Sequence, residues 1–365
     1  MMFKTIVSKF MQFLSDFGMD VVIDLGSSQT RIYVVDKGIV VNEATMLARP
    51  KRKKWVGLSA PEVKIESAIA IGDRAKLMKN RESNRIEVIE PVERGIVHDL
   101  EVAEEMLAYY FSIVSQIPTR YPKLLKFTVL VAVPSNITDV EKRALRSVLY
   151  SAGARKVFMV ESAILASIGM GLDMDKNSGL MIVDVGGGKT EISVVSLGGV
   201  VVSKNISIGG MDLDRDIVNF VKMRYGVLVG MLTAERLKKE LSSDKDGKSM
   251  LVIRGRDLES GLPKTIKVSA NDIVEALTLV NIRIAKTVSE VLDEMPPEIV
   301  DDVFSRGVWL IGGGAKAKGL ANAIEAETKI NVKVAQDSEE VVVRGGGMVL
   351  EDKKLLSKVS GIVSV

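Results

Sequence analysis

The sequence predicts an α/β fold of two lobes, each a mixed sheet flanked by helices. One hairpin motif occurs twice, as VVIDLGSSQTRIYVV from Val21 and as MIVDVGGGKTEISVV from Met181. A single offset pairs Asp24 with Asp184, Gly26 with Gly186, Thr30 with Thr190, Ile32 with Ile192, Val34 with Val194 and Gly38 with Gly198. Chance rarely preserves one register over that length. Helical patterns follow each copy, as a duplicated lobe requires.

Each copy reads as an apolar strand, an Asp-x-Gly turn, small polar residues and an alternating return strand. Two such turns facing one another can grip one phosphate chain. Small residues let backbone N–H groups approach anionic oxygens, and the hydroxyls of Ser27, Ser28 and Thr190 can add hydrogen bonds. Asp24 and Asp184 would face a hydrated Mg²⁺, which keeps several waters and needs few protein ligands. A lone Asp-x-Gly is as readily an ordinary tight turn, since both residues favour turns for conformational reasons. The matched pair favours the phosphate reading.

Composition agrees with a large ordered protein: 365 residues, 47% hydrophobic, 27% charged. The absence of cysteine excludes disulfides, thiol catalysis and cysteine zinc sites and fits a reducing compartment. His98 alone cannot build a histidine metal site. A net charge of +3 is too small to point to nucleic acid, and no apolar run reaches the roughly eighteen residues of a membrane span.

The N-terminal segment is amphipathic. Met2, Phe3, Ile6, Val7, Phe10, Met11, Phe13, Leu14 and Phe17 fall on one arc of a helical wheel; Lys4, Thr5, Ser8, Lys9, Gln12, Ser15 and Asp16 take the other, and Gly18 offers a stop. Polar residues interrupt every apolar core that a secretory signal needs. The helix suits either a membrane interface or docking on its own domain. Arg49–Trp55 reads as a basic solvated loop or an anionic-lipid contact.

Further along, Glu101–Ser115 is an amphipathic helix. Gln116–Lys126 is a loop whose apolar residues either pack beneath the sheet or touch lipid, and Phe127–Val133 is a buried strand. Thr138–Ala152 is a helix capped by Thr138, and Glu161–Gly169 another. The second half predicts helix over Leu213–Tyr225 and Thr233–Glu240, a hairpin over Met250–Val268 and a long helix to Glu294. After strand Val308–Ile311, Gly312-Gly313-Gly314-Ala315 is either a flexible turn or a flat backbone surface for adenosine and phosphates. Its position after two phosphate hairpins favours the second.

Together these segments resemble the MreB/Mbl family, the bacterial actin homologues of the actin, Hsp70 and sugar-kinase superfamily. The resemblance covers residue 20 to about 352 and rests on DLGSSQT, GIVVNEAT, PVERGIVHDLEVAEEML, VPSNITDVEKRALR, SAGARKVFMVE, IVDVGGGKTEISVVSLGG, TAERLKKE, GRDLESGLPKTI, PPEIVDDVFSRGVWLIGGGA and GGGMVL. It implies an actin-like ATPase fold with two lobes around a nucleotide cleft: an N-terminal amphipathic helix over 1–18, lobe I over 19–157, lobe II over 158–345, each lobe with an inserted subdomain, and 346–365 returning to lobe I. It further implies ATP and Mg²⁺ as cofactors, and membrane-associated filaments that serve bacterial cell shape or wall synthesis. The implied partners are further copies of the chain, paralogues, the inner face of the cytoplasmic membrane and membrane-embedded shape or wall-synthesis proteins. The place implied is cytoplasmic and peripheral, with Phe3, Ile6, Val7, Phe10, Phe13 and Leu14 as membrane contacts.

Carried over by position, Ser27, Ser28 and Gln29, with Gly26 and Thr30, form the first phosphate loop, and Gly186, Gly187, Gly188 and Thr190 the second. Glu235 and Lys238 fall where the family touches the nucleoside; Gly312, Gly313, Gly314, Ala315 and Lys316 form the adenine and ribose loop. Asp24 and Asp184 keep the metal-facing role. Two positions depart. The family reads Ile-Glu-Glu-Pro where this chain has Val160-Glu161-Ser162-Ala163, and a Thr that helps hold the attacking water is Lys189. Ser162 lacks the carboxylate that positions that water, a loss that typically costs about 10²- to 10⁴-fold in rate. Lys189 can instead bond to phosphate. The expectation is a nucleotide-binding filament subunit with slow or absent conversion of ATP to ADP and phosphate. The alternative is a preserved ATPase that recruits Glu161 or the lysine differently. An Hsp70-like chaperone should carry a substrate-binding domain beyond GGGMVL, and a small-molecule kinase should show a base and sugar-recognising residues.

Overall fold

A computed structural model describes residues 20–51, 68–81, 84–117, 127–172, 179–242, 248–352 and 355. The N-terminal amphipathic segment, most of the basic 49–55 stretch and residues 118–126 lie outside them. The chain divides into two compact units. The first takes the described residues up to Val133, then Ile137–Glu161 and the stretch from Val343; the second takes Pro134–Asn136 and Ser162–Val342.

Each unit is built on a five-stranded sheet of the same plan. In the first the spatial order is Ala154–Glu161, Phe127–Val133, Asp20–Leu25, Gln29–Val34, Gly38–Ala44. In the second, reading from the opposite edge, it is Val332–Val334, Val308–Ile311, Leu180–Val185, Thr190–Ser196, Gly199–Ile206. In both, the central strand pairs antiparallel with its hairpin partner and parallel with a strand that arrives much later in the chain. Central strands need apolar residues on both faces. Val21, Val22 and Ile23, and at the same offset Met181, Ile182 and Val183, are accordingly buried. The repeat extends to register: Leu25 faces Thr30 and Val185 faces Thr190.

Helices cover the sheets where caps and periodicity place them. Thr138 and Glu141 form a reciprocal capping box on helix Asp139–Ser151, and Ser269 and Asp272 do the same for Ala270–Asp293. Gly226, at φ 65°, ends helix Gly210–Tyr225 in the left-handed conformation that favours glycine. This helix begins three residues before the predicted Leu213, because the Asp212 carboxylate accepts from the Gly209 N–H and fixes an earlier start. Glu161 is not helical. It pairs with Val133 in the parallel ladder, so the strand runs on and the helix spans Ser162–Gly169. Arg49 is not part of a solvated loop: in strand Leu47–Pro50 it stands opposite Glu87, is buried, and its Nε donates to Glu87 Oε1 at 3.0 Å.

Smaller sheets flank the large ones: Ala70–Ile71, Leu47–Pro50 and Ile86–Ile89 in the first unit, and Val227–Leu228, Met250–Asp257 and Pro263–Ser269 in the second. Helix Val341–Glu351 carries GGG at 345–347, and a Cβ on Gly346 would stand 2.4 Å from Val22 Cγ1. The missing side chain lets this helix lie directly on the central strand of the first sheet.

Candidate functional site

The two hairpin turns close with one hydrogen bond each, from Gly26 N to Gln29 O at 3.0 Å and from Gly186 N to Lys189 O at 2.9 Å. Among the described residues nothing accepts from the N–H of Ser27, Ser28, Gly187 or Gly188. Each turn therefore presents two successive N–H donors, the backbone chemistry that cradles anionic oxygens.

The surroundings brace the first turn. Thr45 Oγ1 donates to Gly26 O at 2.7 Å, Thr45 N to Ser28 O at 3.1 Å, and the hydroxyls of Thr30 and Thr45 meet at 2.9 Å. Ser27 is buried and its hydroxyl accepts from Gly95 N at 2.8 Å. Gln29 holds a buried Oε1 with no partner among the described residues. Its amide can present either oxygen or nitrogen to a ligand by rotation.

The second turn rests on the start of helix Gly210–Tyr225. Gly210 N donates to Gly186 O at 2.8 Å and Met211 N to Gly187 O at 2.9 Å. Thr190, expected to offer its hydroxyl to phosphate, is instead fully buried and donates to Ile208 O at 2.8 Å. Its strand register, opposite Val185, turns it into the layer that braces the loop.

Two of the three glycines after strand Val308–Ile311 are required by packing. Gly312 has φ +83° and an added Cβ would meet Asp184 Oδ1 at 2.3 Å; one on Gly314 would meet Val185 Cγ1 at 2.3 Å. Gly314 N also donates to Val185 O at 2.8 Å. Gly313 is exposed and a Cβ there would touch nothing within 4 Å. Ala315 is buried, whereas Lys316 is exposed. The loop thus seals against the end of the Asp184 strand and turns Gly313 and Lys316 outward.

The carboxylates differ in setting. Asp24 lies opposite Arg31, whose guanidinium is 3.6 Å away, while Asp184 lies over Gly312 in space that a Cβ would fill. A single carboxylate at such a turn suits a mostly water-coordinated Mg²⁺, which needs little direct protein ligation. At Asp24 the Arg31 guanidinium offsets part of the charge.

Of the predicted nucleoside contacts, Glu235 binds Lys239 at 2.8 Å. Lys238 reaches across to helix Gly210–Tyr225, with its Nζ 2.7 Å from Asp214 Oδ1 and 2.8 Å from Gly210 O. Burial pushes the Asp214 carboxyl above its ordinary range, and the Lys238 ammonium only partly reverses this. Glu161 ends its strand in the first unit and Ser162 opens its helix in the second.

Lys189, the other departing position, gives its ammonium to Glu191 Oε2 at 3.0 Å. Glu191 is 4% exposed, and its Oε1 accepts from Ser135 N at 2.9 Å and Ser135 Oγ at 2.6 Å. Burial alone would raise the Glu191 pKa; Lys189 and the Ser135 donors overcome it and hold the carboxyl below its usual range. Sequence reasoning missed Thr45, Ser135, Glu191, Gly209, Gly210 and Asp214. Only Gly209-Gly210, a glycine pair opening a helix, carried a signal of the kind recognised at Gly312.

Duplicated five-stranded sheets, each presenting a glycine- or serine-rich hairpin turn, define an actin-like protein. The chain belongs to the MreB/Mbl protein family, whose model matches residues 18–358. It is 40% identical over 342 residues to the cell shape-determining protein MreB of Escherichia coli strain K12, across 93% of this chain and 95% of that protein. It is 35% identical over 344 residues to the cell shape-determining protein Mbl of Bacillus subtilis strain 168, across 94% and 98%. Among solved structures it is similar to MreB5 of Spiroplasma citri bound to AMPPNP, with TM-score 0.83, 29% identity and coverage of 95% of this chain and 99% of that one. A MamK double helical filament, at 18% identity and TM-score 0.71, shares the fold.

Proposed function

We propose that the chain is an ATP-binding cytoskeletal subunit that polymerises, associates with the cytoplasmic membrane and serves bacterial cell shape or wall-synthesis organisation. The observation that carries this is the pair of turns, Gly26–Gln29 and Gly186–Lys189, each closed by the same bond and offering two N–H groups. The relatives named for cell shape and the AMPPNP-bound MreB5 support it. In this reading both turns bind phosphates, Gly313 and Lys316 face the adenosine, and Asp24 and Asp184 orient a hydrated Mg²⁺. Phe3, Ile6, Val7, Phe10, Phe13 and Leu14 enter the membrane interface. Copies of the chain, with paralogues, form the filament on the inner leaflet beside shape or wall-synthesis proteins.

Hydrolysis is slow in this reading. Ser162 supplies no carboxylate to hold a water, and Lys189 is bound to Glu191 where the family has a neutral Thr. Purified protein with Mg-ATP is the test, with nucleotide affinity, pelleting with and without anionic vesicles, and single-turnover phosphate release read together. Binding and pelleting with little phosphate release is the expected result. Failure to bind Mg-ATP sinks the nucleotide reading. Release no slower than that of a Ser162→Glu, Lys189→Thr double variant overturns the hydrolysis reading and leaves an ordinary dynamic ATPase.

A further inference from the structure

Building on the proposed phosphate role of the second turn, we infer that Glu191 is a positioning residue: one oxygen holds the Lys189 ammonium for an incoming phosphate while the other holds Ser135, so that anion binding at the turn is felt in the Pro134–Asn136 segment.

The geometry assigns distinct duties to the two oxygens. Oε2 takes Lys189 Nζ at 3.0 Å; Oε1 takes the Ser135 N–H at 2.9 Å and its hydroxyl at 2.6 Å. An ammonium has three donors, and this one spends a single donor on Glu191 with no further partner among the described residues. The Lys189 side chain is 18% exposed against 5% for Glu191, so the lysine is the member of the pair that reaches solvent. It sits on the same turn as the Gly187 and Gly188 N–H groups. An anion held there gains a charged donor whose position is set in advance by a buried carboxylate, which lowers the ordering cost of a long side chain.

The link to Ser135 follows from charge. Glu191 is buried, and a buried carboxylate must keep its counter-charge or its hydrogen bonds. When Lys189 shares its charge with a phosphate, Glu191 leans harder on the Ser135 N–H and hydroxyl, and both bonds strengthen. Ser135 lies where the chain leaves the first unit after Val133, enters the second for Pro134–Asn136 and returns at Ile137. The Ser203 hydroxyl donates to Asn136 Oδ1 at 2.7 Å, so the second unit already grips this segment.

The test is amide hydrogen exchange of the full chain at Ser135, with Mg-ATP, inorganic tripolyphosphate, inorganic phosphate or no added anion, beside affinity for each. The wild type is expected to slow at Ser135 by about 1.5-fold on Mg-ATP, the size of a hydrogen bond of about 1 kcal/mol strengthened by about a quarter. Lys189→Met should weaken Mg-ATP binding by about tenfold and lose the slowing, and Lys189→Arg should restore both. Because Lys189→Met strands a buried carboxylate, the Lys189→Met, Glu191→Gln double variant removes both charges together and keeps the fold; it should lose affinity and response alike. Slowing with tripolyphosphate, together with no binding of Mg-ATP, keeps the inference and sinks the nucleotide reading, whereas Mg-ATP that binds without slowing Ser135 overturns the inference. Slowing with inorganic phosphate alone assigns the ligand as free phosphate. Mg-ATP binding with an undiminished Ser135 response in either methionine variant overturns the inference while the nucleotide reading stands. A wild type whose Ser135 responds to no added anion overturns it outright.

Discussion

Gly209 lies so close to Gly187 that a Cβ on it would stand 2.6 Å from the Gly187 carbonyl oxygen and 2.6 Å from Lys189 N. Both neighbours are backbone and cannot swing aside. Gly209→Ala should therefore push the second turn out of place, with a cost of about 1–3 kcal/mol. Chemical denaturation should show the loss, and Mg-ATP affinity should fall with it.

The three glycines at 312–314 separate packing from ligand contact. Gly312→Ala clashes with Asp184 and Val185 and also meets a positive φ, so it should destabilise. Gly313→Ala has open space and should leave the melting temperature within about a degree, in keeping with an unburdened surface change. Weaker nucleotide binding by the stable Gly313→Ala protein would mark this residue as a ligand contact. Unchanged binding would move the adenosine elsewhere.

Lys238→Met strands Asp214 in the second unit without its partner, and breaking a buried pair costs about 3–5 kcal/mol. The Asp214 pKa is raised, so its ionised form contributes least to stability once pH climbs from its ordinary 3.8 through the folded value. Losing Lys238 lifts that value further. The deficit of the variant should be largest near neutral pH and shrink as pH falls toward the ordinary 3.8, measured as the denaturation midpoints of the two proteins followed from neutral pH down to that value.

Glu191 has the opposite sign. Its folded pKa lies below the ordinary 4.5, so its contribution is present above that pH and is lost as pH falls below it toward the folded value. Glu191→Gln should be less stable than the wild type at neutral pH, and its stability should fall less steeply below about pH 4.5. Parallel acid-denaturation curves for the two proteins would remove the ionised carboxylate from the account of this site.

Thr138→Ala removes the cap of helix Asp139–Ser151 and should cost about 1 kcal/mol by equilibrium denaturation. Thr138→Ser, which keeps the hydroxyl, should restore most of it. A loss equal in both variants would mean that the methyl group, not the cap, carries the effect.

What the sequence determined by itself is local. The repeated hairpins, from Val21 and Met181, were legible because strand alternation and Asp-x-Gly turns write their geometry into adjacent residues. The Thr138 cap and the strands Phe127–Val133 and Val308–Ile311 were legible for the same reason. The tertiary structure alone decided which groups those turns rest on. Thr190 faces Ile208, Lys238 reaches Asp214, Gly209 meets Gly187, and Glu191 holds Ser135. Each of these pairs joins segments distant in the chain, and their contact depends on how helices and crossovers return to the sheet. Periodicity cannot report that. The same limit explains the reversal at Thr190 and Arg49: both have polar side chains that a sequence reads as available, and both are turned inward by the register of their strands. A strand's composition marks it as a strand, but only its pairing partner fixes which face each residue presents and hence which polar groups remain for a ligand.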